Sequence, residues 1–139
     1  IVHSKKVAMS LSDLFCVERH KPHFIELVKN KLDIIFANEQ EILSLINSKI
    51  FGEAISFSKE IKKNVIITRG KKGAVSINEG QVIEVNAASN LKIKDLTGAG
   101  DLFAAGYLHG VINKLSVKEC LIKGTELSSK IIQKIGARI

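Results

Sequence analysis

The chain has 139 residues, of which 45% are hydrophobic and 25% are charged, as in an ordinary folded domain. This composition excludes an intrinsically disordered chain or a fibrous repeat, and no apolar run approaches the roughly 18 residues of a membrane-spanning helix. The net charge of +7 arises from 21 basic against 14 acidic residues. We expect no nucleic-acid partner, because the lysines are scattered and lack interleaved aromatic residues that could stack on bases.

The cysteines and histidines indicate a protein of a reducing compartment. Cys16 and Cys120 form neither a disulfide framework nor a metal-binding pair, so we expect buried free thiols in a cytoplasmic protein. His20 and His23 are predicted to lie on the surface, at a loop or a helix start, because no cysteine or carboxylate completes a metal site. The sequence opens on Ile1 without a targeting segment, and we therefore expect it to be part of a longer protein.

Strands and helices alternate in the first half of the sequence. Short apolar runs predict strands at residues 7–11, 33–37 and 65–68. Apolar residues at helical spacing predict three helices, which start at Pro22, directly after Asn38, and at Phe51 with an end near Lys63. The polar pair Ser12-Asp13 is predicted to form a loop after the first strand, which we expect to be buried. Such alternation is typical of a parallel sheet with right-handed crossovers.

The second half begins with a different pattern. Residues 74–77 and 81–85 flank a Glu-Gly turn and predict an antiparallel β-hairpin. An irregular polar stretch then leads to a helix rich in small residues after Gly100. Ser116 and Glu119 form a capping-box pattern that predicts a long final amphipathic helix. The sequence therefore predicts an α/β fold with a mainly parallel sheet and one antiparallel hairpin.

The strongest functional signal lies in residues 95–103, whose sequence is DLTGAGDLF. The glycines of Gly98-Ala99-Gly100 allow the main chain to turn closely around a ligand, and the helix that follows directs unpaired amides towards it. Such a helix start attracts anions, and phosphate above all. Asp101 would repel a phosphate unless it serves to accept the proton of an attacking hydroxyl group. This pattern predicts phosphoryl transfer to an alcohol, and the alternative is an ordinary glycine-rich loop capped by an aspartate.

Two further pairs of residues have alternative explanations. Asn38 and Glu41 either cap a helix reciprocally or hold hydrated magnesium at the end of a strand. Thr68 and Gly70 end the next strand, where ligands of α/β sheets bind, although the glycine can also serve only the turn. Other nucleotide motifs are excluded, because there is no GxxxxGK[ST] loop and Phe103 stands where a dinucleotide fingerprint needs its third glycine.

These motifs together resemble those of the ribokinase-like (PfkB-type) carbohydrate and nucleoside kinases. Residues 95–103 are similar to the family's DTxGAGD signature, with Leu96 preceding Thr97. Three other elements of the family occur in the family's order along the chain. They are the NxxE motif at Asn38 and Glu41, the TxG motif at Thr68 and Gly70, and Gly136-Ala137 near the C-terminus. The resemblance covers nearly the whole chain.

The resemblance implies a ribokinase-like, Rossmann-type three-layer sandwich that uses ATP and Mg²⁺. Family members are roughly twice this length, so residues 1–139 would be a partial domain, the C-terminal nucleotide-binding half. In catalysis, Asp101 would be the general base, and the anion hole would be formed by the amides of Gly98, Ala99 and Gly100. In nucleotide binding, Asn38 and Glu41 would organise magnesium through water. Thr68 and Gly70 would lie beside the phosphates, and Thr97 would border the nucleotide. The adenine pocket would be walled by Ser128, Ile132 and Gly136.

The resemblance also bears on the acceptor and the partners. Residues 11–20 and 34–39 are similar to the adenosine-kinase-like branch, which favours a small-molecule acceptor with the hydroxymethyl group of a nucleoside or ribose derivative. The N-terminal half of the family, which supplies most acceptor contacts, is missing here. We therefore expect this chain alone to be inactive, and to pair with that half or form a homodimer. The alternative is a non-catalytic fragment that binds a nucleotide or a partner.

Overall fold

The structure, a computed structural model, describes residues 5–137. It divides into two compact units. The first unit comprises the described residues up to Thr68 together with Ser76–Val82, and the second comprises Arg69–Val75 together with the described residues from Ile83 onwards. None of the helices within the described residues is long and apolar enough to cross a membrane.

Three parallel strands and four helices make up most of the first unit. The strands are β1 (Ala8–Ser10), β2 (Ile34–Asn38) and β3 (Asn64–Thr68). The helices are α1 (Leu14–Arg19), α2 (Lys21–Asn30), α3 (Glu39–Leu45) and α4 (Phe51–Glu60). The middle of β2 and β3 is buried because each is a continuous apolar run, as parallel strands covered on both faces require. The register pairs Asn38 with Thr68, so both residues lie at the carboxyl edge of the sheet.

The hairpin predicted from the sequence is confirmed. Strands β4 (Ala74–Asn78) and β5 (Gln81–Val85) complete a five-stranded sheet of order β1-β2-β3-β4-β5. Glu79 and Gly80 connect them with φ angles of 49° and 79°, the left-handed pair of a type I′ turn. Because a connection this short joins only antiparallel strands, the sheet is mixed.

Two long helices, α5 (Ala99–Ile112) and α6 (Val117–Ile131), pack on each other in the second unit. Their backbones approach closely at glycines. A Cβ added at Gly106 would lie 2.6 Å from the Lys123 carbonyl oxygen, and one added at Gly124 would lie 2.8 Å from the Phe103 carbonyl oxygen. Ser116 and Glu119 form the predicted capping box at the start of α6. These glycines therefore set the distance between the two helices.

The region after β1 differs from the prediction. Residues 14–19 form the helix α1, and Asp13 is its N-cap, since the carboxylate accepts a hydrogen bond from the Phe15 N–H at 2.6 Å. A helix of six residues is too short to show a helical period in sequence. The expectation of a buried β1 was also wrong, because the strand lies at the edge of the sheet and is only partly covered.

The two cysteines have different environments. Cys120 is a buried free thiol, as predicted, whereas the expectation for Cys16 was wrong because its side chain is exposed. Cys16 shares the short α1 with Val17, which turns inward and is fully buried, so the neighbouring position faces out. His20 and His23 are exposed at the start of α2, as expected.

Candidate functional site

The glycine turn of the second unit lies at the start of α5. Gly98 is the N-cap of the helix and has a φ of 78°, a left-handed conformation that favours glycine. Its carbonyl accepts a hydrogen bond from the Leu102 N–H at 2.9 Å, which begins the helix. The Ala99 N–H donates to the Leu96 carbonyl at 3.1 Å, whereas the N–H groups of Gly98 and Gly100 have no acceptor within residues 5–137. Two of the three amides predicted to bind an anion are therefore available.

Asp101 lies in the first turn of α5. Its carboxylate is exposed and has no hydrogen-bond partner among the described residues. A negative charge here interacts favourably with the positive end of the helix dipole. Gly100 leaves open space beside it, since a Cβ added there would meet no atom within 4 Å. The carboxylate is therefore accessible to a reacting group at the start of the helix.

Asp95 holds the glycine turn in place. One carboxylate oxygen accepts from the Thr97 N–H at 2.9 Å and from the Thr97 hydroxyl at 2.7 Å, and the other accepts from the Gly136 N–H at 2.9 Å. Hydrogen bonds from Thr97, and to a smaller extent from Gly136, lower the pKa of Asp95 below its ordinary value. The Lys94 N–H donates to the Ile132 carbonyl at 2.8 Å. These bonds bring Thr97, Ile132 and Gly136 together, and the Asp-x-Thr spacing is the sequence signal that could have identified Asp95 as their anchor.

The Asn38–Glu41 pair in the first unit forms the predicted capping box. The Asn38 side-chain oxygen accepts from the Glu41 N–H at 2.8 Å. In return, the two Glu41 carboxylate oxygens accept from the Asn38 N–H at 2.9 Å and from its side-chain amide at 2.8 Å. The capping explanation is therefore observed. Each carboxylate oxygen retains a lone pair for a water or a cation.

The electrostatics of Glu41 suit a cation site. Its side chain is only 6% exposed, and burial raises its pKa above the ordinary 4.5, although the Asn38 N–H partly offsets this and the nearby charge of Asp13 adds to it. A cation would relieve both the burial and the repulsion between the two carboxylates. Within residues 5–137 no cluster of three His, Cys, Asp or Glu residues could hold a metal alone. The residues thus fit Mg²⁺, which binds through one or two carboxylates, waters and substrate phosphates.

The raised pKa of Glu41 predicts a pH-dependent stability. The folded state favours the neutral acid, so the contribution of Glu41 is greatest below pH 4.5 and declines as the pH rises through the folded-state pKa. Glutamine does not titrate. We therefore expect the free energy of unfolding of Glu41→Gln, minus that of wild type, to increase from about pH 4 to pH 7. Urea unfolding across this pH range measures the difference in the free energy of unfolding. Glu53→Gln in the same unit is the control for removing one carboxylate. A difference between Glu41→Gln and wild type that does not change with pH would contradict the prediction.

Thr68 and Gly70 lie on either side of the end of β3. Thr68 is the last residue of the strand. Gly70 has a φ of 56° and begins a short 3₁₀ turn, which closes with a 3.0 Å hydrogen bond from the Gly73 N–H to the Gly70 carbonyl. A Cβ added at Gly70 would meet no atom, whereas one added at Gly73 would overlap the Val85 carbonyl. The close approach therefore requires glycine at Gly73, and Gly70 is left facing open space.

A cavity of about 380 Å³ lies beside α6 in the second unit. It is lined by residues that follow β5 and by one face of α6, namely Val85, Asn86, Ala88, Ile122, Thr125, Glu126, Ser129 and Lys130. Ser128 and Ile132 are predicted to wall a nucleotide pocket. Ser128 lies on α6 and Ile132 is its C-cap, but neither residue lines this cavity. The four-residue spacing of Thr125 and Ser129, two small polar residues on one helical face, is the signal that could have identified it.

Comparison with known proteins identifies the family. The model described as pfkB family carbohydrate kinase matches residues 4–139. The chain belongs to this family. The pfkB resemblance noted from the motifs is thereby confirmed.

Three relatives of this pfkB chain are informative. The crystal structure of adenosine kinase from Sinorhizobium meliloti is 36% identical, with a TM-score of 0.94 over 99% of this chain and 42% of that one. The cytidine kinase of Thermococcus kodakarensis is 32% identical over 78% of this chain and 40% of its own length. The ribokinase of Arabidopsis thaliana, solved with ribose and ATP, is 28% identical, with a TM-score of 0.72 over 81% of this chain and 38% of that one.

These matches confirm the ribokinase-like α/β fold and its partial extent. The pfkB chain spans about two fifths of the length of each of these relatives. Their names concern two nucleosides and one sugar.

Proposed function

We propose that the protein containing this chain transfers the terminal phosphoryl group of ATP to the hydroxymethyl group of a nucleoside or a ribose-type sugar. The observation that carries the proposal is the glycine turn at the start of α5, with free amides at Gly98 and Gly100 and the accessible carboxylate of Asp101 beside them. Unpaired amides stabilise charge on a phosphoryl group in transfer. A carboxylate in the same turn can accept the proton of the attacking hydroxyl.

In this mechanism the Asp101 carboxylate binds the acceptor hydroxyl and takes its proton as the oxygen attacks the terminal phosphorus, and ADP departs. The amides of Gly98 and Gly100 donate to the phosphoryl oxygens. Ala99 is left out of the anion hole, because its amide already donates to Leu96. Thr97 borders the nucleotide, and Thr68 and Gly70 lie beside its phosphates.

Asn38 and Glu41 are proposed to organise Mg²⁺ through water. When bound, the cation neutralises charge on the phosphates. The capping box gives Glu41 a fixed orientation, since both of its oxygens accept from Asn38. The ends of β2 and β3 lie side by side, which places Thr68 in register with Asn38.

The cavity beside α6 is proposed to receive the nucleobase. Ile132, whose carbonyl accepts a hydrogen bond from the loop before the glycine turn, lies seven positions after Thr125, which lines the cavity. At a rise of 1.5 Å per residue this corresponds to roughly 10 Å along the helix axis. That separation suits a nucleotide whose base and terminal phosphates are bound at the two places. Ser128 and Gly136, with Ile132, remain proposed as its outer wall.

The acceptor, the location and the partners are proposals as well. The adenosine, cytidine and ribose kinases among the relatives favour an acceptor that contains ribose. The exposed free thiol of Cys16 favours the cytoplasm, where thiols stay reduced. Homodimer formation and pairing with the rest of the kinase domain both remain predictions.

Nucleotide binding tests the proposal directly. Gly98→Ala introduces a Cβ 3.0 Å from that of Ala137 at a φ of 78°, and should shift the turn and weaken the binding of MgATP about tenfold or more. Gly80→Ala is a matched control, since Gly80 has a φ of 79° in the hairpin and open space around it. Isothermal titration of the 139-residue chain measures both affinities, and equal losses in the two variants would contradict the assignment.

A non-catalytic binding fragment is the second candidate. It is favoured by the coverage of only about two fifths of the relatives and by the outer edge of β1, which pairs with no other strand within residues 5–137. An exposed strand edge seeks pairing with another chain. Phosphoryl transfer by the full-length protein, measured beside that of the 139-residue chain, distinguishes the two functions.

A further inference from the structure

We infer that Glu126 selects the nucleobase, by accepting a hydrogen bond from an amino or ring N–H group on the base edge. This inference rests on the proposed nucleotide function and adds a specificity-determining residue to it. Glu126 is one of four polar α6 residues that line the cavity, together with Thr125, Ser129 and Lys130.

Two neighbouring residues of α6, Thr125 and Glu126, offer acceptors to the cavity. The Thr125 hydroxyl donates its only proton to the Leu121 carbonyl at 2.9 Å, so it offers only lone pairs to a ligand. The carboxylate of Glu126 has no proton to donate when ionised. Donors come from the Ser129 hydroxyl and from Asn86 and Lys130, which are exposed as Glu126 is. A base that presents N–H groups towards Thr125 and Glu126 therefore finds acceptors there.

Lys123 positions the Glu126 carboxylate. Its ammonium group lies 3.3 Å from one carboxylate oxygen, and both side chains are about half exposed, at 47% and 50%. The pair keeps one oxygen occupied and leaves the other free to accept. Its contribution to stability is small, as for other exposed ion pairs. Its effect is on the direction of the carboxylate.

Apolar side chains form the remaining wall of the cavity. Val85, Ala88 and Ile122 offer surfaces on which the faces of a planar base can pack. A hydrogen bond from the base to the ionised carboxylate is charge-assisted, and such bonds are stronger than those between neutral groups. The edge of the base, rather than its face, would be read by Glu126.

Two nucleotides that differ in one group distinguish a hydrogen bond to Glu126 from recognition of the shape of the base alone. ATP carries the 6-amino group, whereas purine riboside triphosphate lacks it and is otherwise the same. Losing a hydrogen bond to a charged group should weaken binding about 10- to 100-fold. We expect wild type to prefer ATP by this factor, Glu126→Ala to bind both nucleotides equally, and Glu126→Gln to keep part of the preference because its amide oxygen still accepts.

Isothermal titration of the 139-residue chain with each nucleotide and Mg²⁺ measures the preference. Glu60→Ala, which removes an exposed carboxylate from α4 in the first unit, is the matched control and should keep it. Thermal unfolding establishes that each variant is folded. Wild type that binds ATP without preference, or Glu126→Ala that retains the preference, would overturn the role of Glu126 and leave nucleotide binding intact. Failure of wild type to bind ATP would overturn both.

Discussion

If the proposed function holds, replacing Asp101 with asparagine is expected to lower the kcat of the full-length protein by two to four orders of magnitude, the range of roughly 10²- to 10⁴-fold associated with a general base. The amide keeps the size of the side chain but cannot accept a proton at neutral pH. Gly98 and Gly100 are unchanged, so the affinity for ATP should stay nearly constant. Steady-state kinetics with a nucleoside or ribose acceptor, together with nucleotide titration, measure the two effects.

The control for this variant is Glu119→Gln. Glu119 is also an acidic residue in the first turn of a helix of the second unit, where it completes the capping box with Ser116. Glutamine can preserve that box, so the change removes a charge near a helix start without affecting Asp101. We expect the control to retain its kcat. An Asp101→Asn enzyme with turnover within tenfold of wild type would remove Asp101 from the role of base.

Replacing Gly106 with alanine is expected to destabilise the second unit by about 2–3 kcal/mol. The added Cβ would lie 2.6 Å from the Lys123 carbonyl oxygen and 2.9 Å from the Gly124 Cα. These are backbone atoms of α6, so the clash is relieved only by moving one helix away from the other. The gain in helix propensity, about 1 kcal/mol, is too small to offset this.

Gly100→Ala in the same helix is expected to change stability in the opposite direction. No atom lies within 4 Å of a Cβ added at Gly100, and its φ is negative, so alanine there should stabilise α5 by about 0.5–1 kcal/mol. Urea unfolding followed by circular dichroism measures both variants. A Gly106→Ala protein at least as stable as wild type would show that α5 and α6 are not held as closely as the structure places them.

The fold was largely predictable because its main elements carry strong local signals. The continuous apolar runs of β2 and β3, the Glu-Gly turn of the hairpin and the capping box at Ser116 each determine one element with little help from the rest of the chain. Helix α1 carries no such signal, because six residues contain fewer than two helical turns. The helix starts at the N-cap Asp13. An aspartate side chain can bond to the backbone in a loop as well as at a helix start, so its presence does not predict a helix.

The candidate site was predictable only where a motif defines it. The glycine turn, Asp101 and the Asn38–Glu41 box follow from residues close together in sequence. The cavity does not, because its position depends on which face of α6 is covered by α5. Close packing at Gly124 leaves Thr125, Glu126 and Ser129 to line the cavity. The tie between Asp95 and Gly136 is equally hidden, since 41 positions separate the two residues.

That tie couples the order of the glycine turn to the order of the segment that follows α6. Helix ends and chain ends open most readily in proteins, while functional turns need a fixed geometry. The carboxylate of Asp95 accepts hydrogen bonds from Thr97 on one side and from Gly136 on the other. Opening at either place therefore removes part of the support of Asp95. The lifetime of the conformation of the glycine turn therefore depends on the segment that follows α6 as well as on the glycines themselves.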